Sequence, residues 1–362
     1  MEAVKSTVQK AVHGIAGTTG AGKTVLVTGG SGFVAAGVLE AFLSAGYHVR
    51  TTVRSHSSAE KVKKSHGHYG DKLSIVLVGD NIATGAFDEA VKGVDGVIHT
   101  ASPFVLQVKD NVKDLLDPAI KGTNSILQSV HQHNPAVKRV VVTSSFASII
   151  DVPQGNRPGH TYSEKDWNPV TYDQAADPKS DGTLVYCASK TFAEKAAFEY
   201  AEKNKTNFSI ATICPPMVYG PPKQTLESLD KLNTSTADIY RLFNGSEKEV
   251  PPTAFWNWVD VRDVGQAHLK AYEVPEAAGQ RYFCTAGRYS YQQICDIIRK
   301  DFPELREVTP KGNPGEPISG VFEVDNTKIR EQLGIKFRTL EESIHDTVAE
   351  LLAAQKKLGK PQ

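Results

Sequence analysis

One short segment constrains the fold of this 362-residue chain more than any other: an apolar run that passes through a glycine turn into a helical pattern. The run is Val25–Val27, the turn is 28–32, and the helical pattern fills 32–45. The turn reads as GxGxxA from Gly30 or as GxxGxxA from Gly29, and both frames place Gly32 where backbone must approach a pyrophosphate. A strand, glycine turn and helix in this order predict a dinucleotide-binding unit.

Further apolar runs follow along the chain, with helical patterns between them. The runs are Val49–Val53, Leu73–Val78, Val97–Thr100, Val140–Thr143 and Ile210–Ile213, and the helical patterns fill 59–66, 86–92, 111–133 and 184–204. Continuous Val/Ile strands that alternate with helices indicate a parallel sheet covered on both faces. We therefore predict an α/β fold, a doubly wound parallel sheet of the Rossmann type, with ligands at the carboxyl ends of the strands.

The composition changes after Gly220, where the strand–helix alternation stops until about residue 260. A last helical pattern fills 340–356. We predict three parts on this basis: a flexible N-terminal extension over 1–21, an NADP-binding Rossmann domain over 22–220 and 258–290, and a smaller C-terminal substrate lobe over 221–257 and 291–362.

Composition excludes several classes of protein. The 41 Lys and Arg residues balance the 41 Asp and Glu residues, so the net charge is zero and no nucleic-acid partner is expected. No apolar stretch approaches the roughly 18 residues that span a bilayer, so no membrane partner is expected either. The four cysteines are too widely spaced for a disulfide framework or a metal site: Cys187, Cys214, Cys284 and Cys295. We predict a cytoplasmic protein with reduced thiols and no metal.

A second glycine-rich segment, residues 17–24, matches the phosphate-loop pattern GxxxxGK[ST]. A phosphate loop must follow a strand and open a helix, so that helix N–H groups face the phosphates. This segment precedes the first strand instead. We interpret it as a chance match within the N-terminal extension.

The end of the second apolar run predicts which dinucleotide binds. NAD sites usually carry an acidic residue there, which accepts a hydrogen bond from the ribose 2′-hydroxyl. This chain has Arg54 instead, no acid before Glu60, and then Lys61. Because a guanidinium suits a 2′-phosphate, we predict NADP(H), although a merely solvated basic face stays possible. Asp80, which ends the third run, either accepts from the adenine amino group or forms a turn.

Three residues predict the chemistry. Tyr186 and Lys190 are four apart at the start of the helical pattern 184–204, so phenol and ammonium share one face. A cation near a phenol favours the phenolate and lowers its pKa, which suits a proton donor. Ser145 follows the fifth run, at the edge where ligands bind, and a hydroxyl there can stabilise a developing oxyanion.

These motifs resemble the extended short-chain dehydrogenase/reductase family. The matching segments are Thr28-Gly29-x-x-Gly32-Phe33-x-Ala35, Ser145 and Tyr186-x-x-x-Lys190. Segments 49–54, 163–168, 259–264 and 333–342 are similar to its dihydroflavonol-reductase-like branch, and within it to fungal NADPH-dependent aldehyde and ketone reductases of the methylglyoxal reductase type.

The resemblance implies roles for individual residues. Tyr186 would protonate a carbonyl oxygen, Lys190 would hold the nicotinamide ribose and Ser145 would orient the carbonyl. The implied cofactor contacts, besides Tyr186 and Lys190, are Gly29, Gly32, Phe33, Val34, Arg54, Lys61, Asp80, Asn81, Ala101, Pro103, Pro215 and Val218. Phe104, Met217, Phe243 and Trp256 would each be either a wall of the substrate pocket or part of the core.

The resulting hypothesis is an NADPH-dependent carbonyl reductase that acts on a small ketone or aldehyde, as a monomer or homodimer. Two alternatives stay open: a nucleotide-sugar epimerase or dehydratase of the same fold, and a non-catalytic NADP-binding protein. An epimerase needs cations for a nucleotide diphosphate. Residues 221–257 contain four Lys and Arg residues against five acidic residues, which favours the reductase.

Overall fold

The structure is a computed structural model that describes residues 20–102 and 108–359. Twelve strands lie within these described residues, and seven of them form one sheet. In chain order the strands are β1 (Thr24–Thr28), β2 (His48–Val53), β3 (Leu73–Leu77), β4 (Gly96–His99), β5 (Arg139–Thr143), β6 (Thr161–Tyr162), β7 (Ser209–Cys214), β8 (Met217–Tyr219), β9 (Asn257–Asp260), β10 (Gln280–Phe283), β11 (Gly287–Arg288) and β12 (Glu323–Val324).

Helices connect most of these strands. They are α1 (Phe33–Ser44), α2 (His56–His66), α3 (Asp117–His133), α4 (Tyr172–Ala176), α5 (Gly182–Lys203), α6 (Thr234–Tyr240), α7 (Val261–Glu273), α8 (Tyr291–Asp301), α9 (Thr327–Leu333) and α10 (Leu340–Leu358). None of the helices in the described part of the chain is long and apolar enough to cross a membrane.

The main sheet has the strand order β10-β7-β5-β4-β1-β2-β3, and every pair in it is parallel. Val25 of β1 lies opposite Val49 of β2 on one side and Gly96 of β4 on the other. The chain therefore builds outward from β1 to β3 and then returns to the opposite side of β1. This reversal is the switch point of a doubly wound sheet, and it confirms the predicted fold class.

Two sequence-based expectations differ from the structure. The pattern at 86–92 is a series of turns rather than a helix, because the segment is short and glycines with positive φ stand at Gly85 and Gly93. Its apolar residues, such as Phe87, are nevertheless buried. The edge strand β10 was not predicted, because its sequence begins with Gln280 and Arg281 and has no apolar run.

Close backbone contact between α1 and α7 covers one face of the sheet. A Cβ atom on Gly37 would lie 2.8 Å from the Val261 carbonyl oxygen, and one on Gly265 would lie 2.4 Å from the Gly37 carbonyl oxygen. Both distances are shorter than real contacts allow, so these two glycines let the helices approach. The close packing holds α1, and with it the glycine turn, firmly against the sheet.

A separate apolar cluster joins residues from 217–243, 289–305 and 340–352, and it includes Tyr219, Ile239, Tyr289 and Leu351. Most of its members come from the predicted substrate lobe, whereas Tyr219, Trp258 and Tyr289 come from the predicted Rossmann domain. The division of the chain into domains stays a prediction. Gly20, assigned by the sequence to the flexible extension, is buried, and its N–H donates to the Ala45 carbonyl at 3.2 Å.

Candidate active site

The carboxyl ends of β1, β4, β5 and β7 meet at one edge of the sheet, because these strands are parallel neighbours. Thr28 organises the first two of these ends. Its Oγ1 accepts hydrogen bonds from the Thr100 and Ala101 N–H groups, both at 3.1 Å, and lies 2.9 Å from His99 Nδ1. The hydroxyl thereby fixes the segment after β4 beside the glycine turn.

The glycine turn is shaped to admit a dinucleotide. Gly29 has φ +76°, in the left-handed region, and a Cβ atom there would lie 3.1 Å from Ala101. Gly32 is exposed at the start of α1, and no side chain caps this helix. The first-turn N–H groups, beginning at Phe33 and Val34, are therefore available to an anion, as a pyrophosphate requires.

Arg54 is exposed two residues before α2, at the position where the sequence predicts a contact with a 2′-phosphate. Three serines that the sequence-based prediction did not include lie at the start of this helix. Ser55 caps it by accepting from the Ser58 N–H at 3.2 Å, and Ser57 Oγ lies 3.0 Å from Ser55 Oγ. A run of serines after an arginine was the available signal. Lys61 is engaged elsewhere, in an ion pair with Glu227 at 2.8 Å.

Asp80 forms a turn in the structure. It is exposed, and its Oδ1 accepts from the Ile82 N–H at 3.0 Å. The turn that the sequence left open is therefore present, and the contact of Asp80 with an adenine amino group stays a prediction. Asn81, which lies between Asp80 and Ile82, is half-buried.

Ser145, Tyr186 and Lys190 come together as predicted. Lys190 Nζ lies 5.6 Å from the centre of the Tyr186 ring, one helical turn away on α5. The Ser145 side chain forms a hydrogen bond with the phenol. Lys190 Nζ also donates to Ser102 Oγ at 2.6 Å, which ties the helix to the segment after β4.

The protonation of this trio is governed by burial. Burial raises the pKa of Tyr186 well above 10, and the hydrogen bond with Ser145 opposes this only in part. Burial lowers the pKa of Lys190 to about 8. The expectation that Lys190 brings the Tyr186 pKa towards neutrality was therefore wrong for this structure, because desolvation is the larger effect. The phenol is protonated at neutral pH, as a proton donor must be.

The two adjacent serines at the end of β5 differ in environment. Ser144 is buried, and its Oγ donates to Glu194 Oε2 at 2.7 Å. Ser145 is half-buried and meets Tyr186 instead. The geometry thus favours Ser145 as the hydroxyl that contacts a substrate.

The predicted substrate contacts fall into two groups. Trp256 packs against the same apolar cluster as Tyr186, and its Nε1 donates to Asn156 Oδ1 at 3.0 Å. Met217 and Phe243 instead belong to the separate apolar cluster that contains Tyr219 and Ile239, where Phe243 is buried against Tyr240.

The predicted nicotinamide contacts Pro215 and Val218 are both buried, one on each side of the start of β8. Ala101 is half-buried beside Gly29. Pro103 and Phe104 lie outside the described residues.

Two buried histidines below this edge predict a pH-dependent stability. Burial lowers the pKa of His99 and of His268 to about 4. Between about pH 6.5 and 4 the unfolded chain takes up these protons and the folded chain does not, so the free energy of unfolding falls as the pH falls. We expect about 1 kcal/mol per pH unit for each histidine near pH 5, measured by urea unfolding at several pH values.

Variants separate this effect from general acid denaturation. His268→Gln should flatten the pH dependence by the share of one histidine, whereas His56→Gln, which removes an exposed imidazole on α2, should leave it unchanged. An identical slope in wild type and His268→Gln would contradict the prediction.

Comparison with known proteins gives one family and close relatives. The family model described as "NAD dependent epimerase/dehydratase family" matches residues 25–284. The chain is 42% identical to the ketoreductase azaE of Aspergillus niger over 337 residues, which cover 91% of this chain and 98% of the relative. It is 36% identical to the NADPH-dependent methylglyoxal reductase GRE2 of Saccharomyces cerevisiae, over 91% of this chain and 98% of the relative.

A solved structure of the same kind of reductase is also similar to this chain. The crystal structure of yeast methylglyoxal/isovaleraldehyde reductase Gre2 complexed with NADPH superposes with a TM-score of 0.85 at 35% identity. The match covers 92% of this chain and 99% of that one. The similarity therefore extends over both the main sheet and the residues of the predicted substrate lobe.

Proposed function

Since the chain belongs to the NAD dependent epimerase/dehydratase family, we propose that it is an NADPH-dependent carbonyl reductase, which converts a ketone or aldehyde into an alcohol. The observation that carries this proposal is the meeting of Ser145, Tyr186 and Lys190 at the carboxyl edge of the sheet, next to an open glycine turn.

Bound NADPH supplies the hydride. The chain's own residues fit the cofactor: the uncapped start of α1 at Gly32 would hold the pyrophosphate, and Arg54 with the first turn of α2 would hold the 2′-phosphate. Lys61 would contribute only by leaving Glu227. Lys190 would hold the nicotinamide ribose, from its place beside Ser102.

Tyr186 gives its proton to the carbonyl oxygen as negative charge develops there. Ser145, which is hydrogen-bonded to the phenol, orients the same oxygen, and the buried ammonium of Lys190 favours the phenolate that remains. Because these groups are largely removed from water, their mutual interactions are stronger than they would be in solvent.

The substrate is a small carbonyl compound. Trp256 and Phe255, packed on the same cluster as Tyr186, supply an apolar wall for it.

The four free cysteines of the described residues are all buried. Buried free thiols fit a reducing compartment, so we place the enzyme in the cytoplasm. Both a monomer and a homodimer fit the proposal.

A substrate panel tests the function. Ketones, aldehydes and keto esters that are substrates should each oxidise one NADPH per alcohol formed. The loss of NADPH absorbance measures the oxidation, and product analysis measures the alcohol. NADPH-dependent turnover of at least one member, with none of a nucleotide sugar, supports the reductase. A protein that purifies with firmly bound NAD and converts nucleotide sugars without net cofactor oxidation would instead be an epimerase.

A further inference from the structure

A buried ion pair lies beneath the trio and takes no part in the proton transfer described above. Glu194 stands on α5 one turn beyond Lys190 and is 1% exposed. Arg281 of β10 donates to it through Nε at 2.8 Å and through Nη2 at 3.2 Å. Burial opposes the ionisation of Glu194, but the charge and hydrogen bonds of Arg281, together with the hydrogen bonds of neighbouring hydroxyls, outweigh it and lower the pKa of this carboxyl.

The same carboxylate also accepts from two strands of the main sheet. Ser144 Oγ, at the end of β5, donates to Oε2 at 2.7 Å. Thr212 Oγ1, in β7, donates to Oε1 at 2.6 Å. One charged group therefore ties α5, the helix of Tyr186 and Lys190, to the two strands that end below the trio.

Ser144 is the residue before Ser145, and this neighbour relation matters. Ser145 has extended backbone (φ −161°, ψ 157°), in which successive side chains point to opposite sides. The Ser144 hydroxyl consequently reaches down to Glu194, while the Ser145 hydroxyl reaches Tyr186.

A second chain of hydrogen bonds links Arg281 to the backbone of Ser145. Ser148 Oγ donates to the Ser145 carbonyl at 2.8 Å, and Arg281 Nη2 donates to Ser148 Oγ at 3.2 Å. The ion pair thus reaches this segment at two points: Glu194 holds the Ser144 hydroxyl, and Arg281, through Ser148, holds the Ser145 carbonyl.

We propose that Glu194 is a positioning residue for the reduction: acting through Ser144, it holds Ser145 in register with Tyr186. This inference rests on the proposed function, in which Ser145 orients the carbonyl. Because Glu194 and Tyr186 belong to one helix, the carboxylate fixes the distance between that helix and the serine. A displacement of about 1 Å at such a contact can cost as much as 10²-fold in rate.

Two matched variants test this positioning, because each removes one hydroxyl from the same carboxylate. Ser144→Ala removes the hydrogen bond to Glu194 from the residue next to Ser145. Thr212→Val removes the hydrogen bond to Glu194 from within β7, two residues before that strand ends. Both should lower the melting temperature. Only Ser144→Ala should lower kcat, by about 10- to 10²-fold at saturating NADPH and substrate, with the Kd for NADPH unchanged. Thr212→Val should keep kcat within about twofold.

The double variant shows whether the effect passes through Ser145. In a Ser145→Ala background, Ser144→Ala should cause no further loss of kcat, because the hydroxyl that it positions is gone. Equal kcat losses in Ser144→Ala and Thr212→Val, or a full additional loss in the double variant, would overturn the positioning role and leave the reductase intact. Unchanged kcat in Ser145→Ala alone would overturn the assigned role of Ser145 and the positioning role with it.

Discussion

Replacing Tyr186 with phenylalanine should lower kcat about 10²- to 10⁴-fold. The change keeps the ring, which packs against two apolar clusters, and removes only the hydroxyl that is hydrogen-bonded to Ser145. Without the phenol, which is the acid assigned to the carbonyl oxygen, proton transfer would fall to water. Steady-state rates of NADPH oxidation, with a carbonyl compound of the panel that the wild-type enzyme reduces, measure the loss.

The control for this variant lies on the same helix. Tyr200→Phe removes a phenol from the far end of α5, where Tyr200 packs beside His131, and should leave kcat unchanged. NADPH binding, followed by its fluorescence, should stay within about threefold of wild type in both variants, because Lys190 remains. A Tyr186→Phe enzyme with more than a tenth of wild-type kcat would contradict the role of Tyr186 as proton donor.

Periodicity and local motifs predict the parts of this molecule that local sequence determines. The runs at β1 to β5 and β7 are apolar because both faces of a parallel sheet are covered, so each is visible by itself. Tyr186 and Lys190 were recognisable as neighbours because helix geometry alone brings them together. The glycine turn was recognisable because it stands between a strand and a helix.

What the sequence could not predict depends on contacts between distant segments. Arg281 is a charged residue inside a strand, and its partner Glu194 is 87 residues away. The pairing of Lys61 with Glu227 likewise joins α2 to a segment far along the chain. The direction of the Tyr186 pKa followed from how much of the phenol is removed from water, and no spacing of residues encodes that quantity.

Replacing Arg54 with aspartate should reverse much of the cofactor preference. The exposed guanidinium stands at the start of α2, where it can pair with a 2′-phosphate in two parallel hydrogen bonds. A carboxylate at this place repels the phosphate and accepts from a ribose 2′-hydroxyl. We expect the kcat/KM ratio of NADPH to NADH to fall by about 10²-fold, the equivalent of about 2.7 kcal/mol, mostly through the KM for NADPH.

Two further variants on α2 separate a specific contact from a general effect of charge. Lys64→Asp makes the same change of charge on an exposed residue of the same helix and should alter the NADPH/NADH ratio less than about twofold. Lys61→Met should have an intermediate effect, because its ammonium already pairs with Glu227. If Lys64→Asp lowered the ratio as much as Arg54→Asp, the preference would arise from the basic face as a whole. An unchanged ratio in Arg54→Asp would remove this residue from the phosphate site.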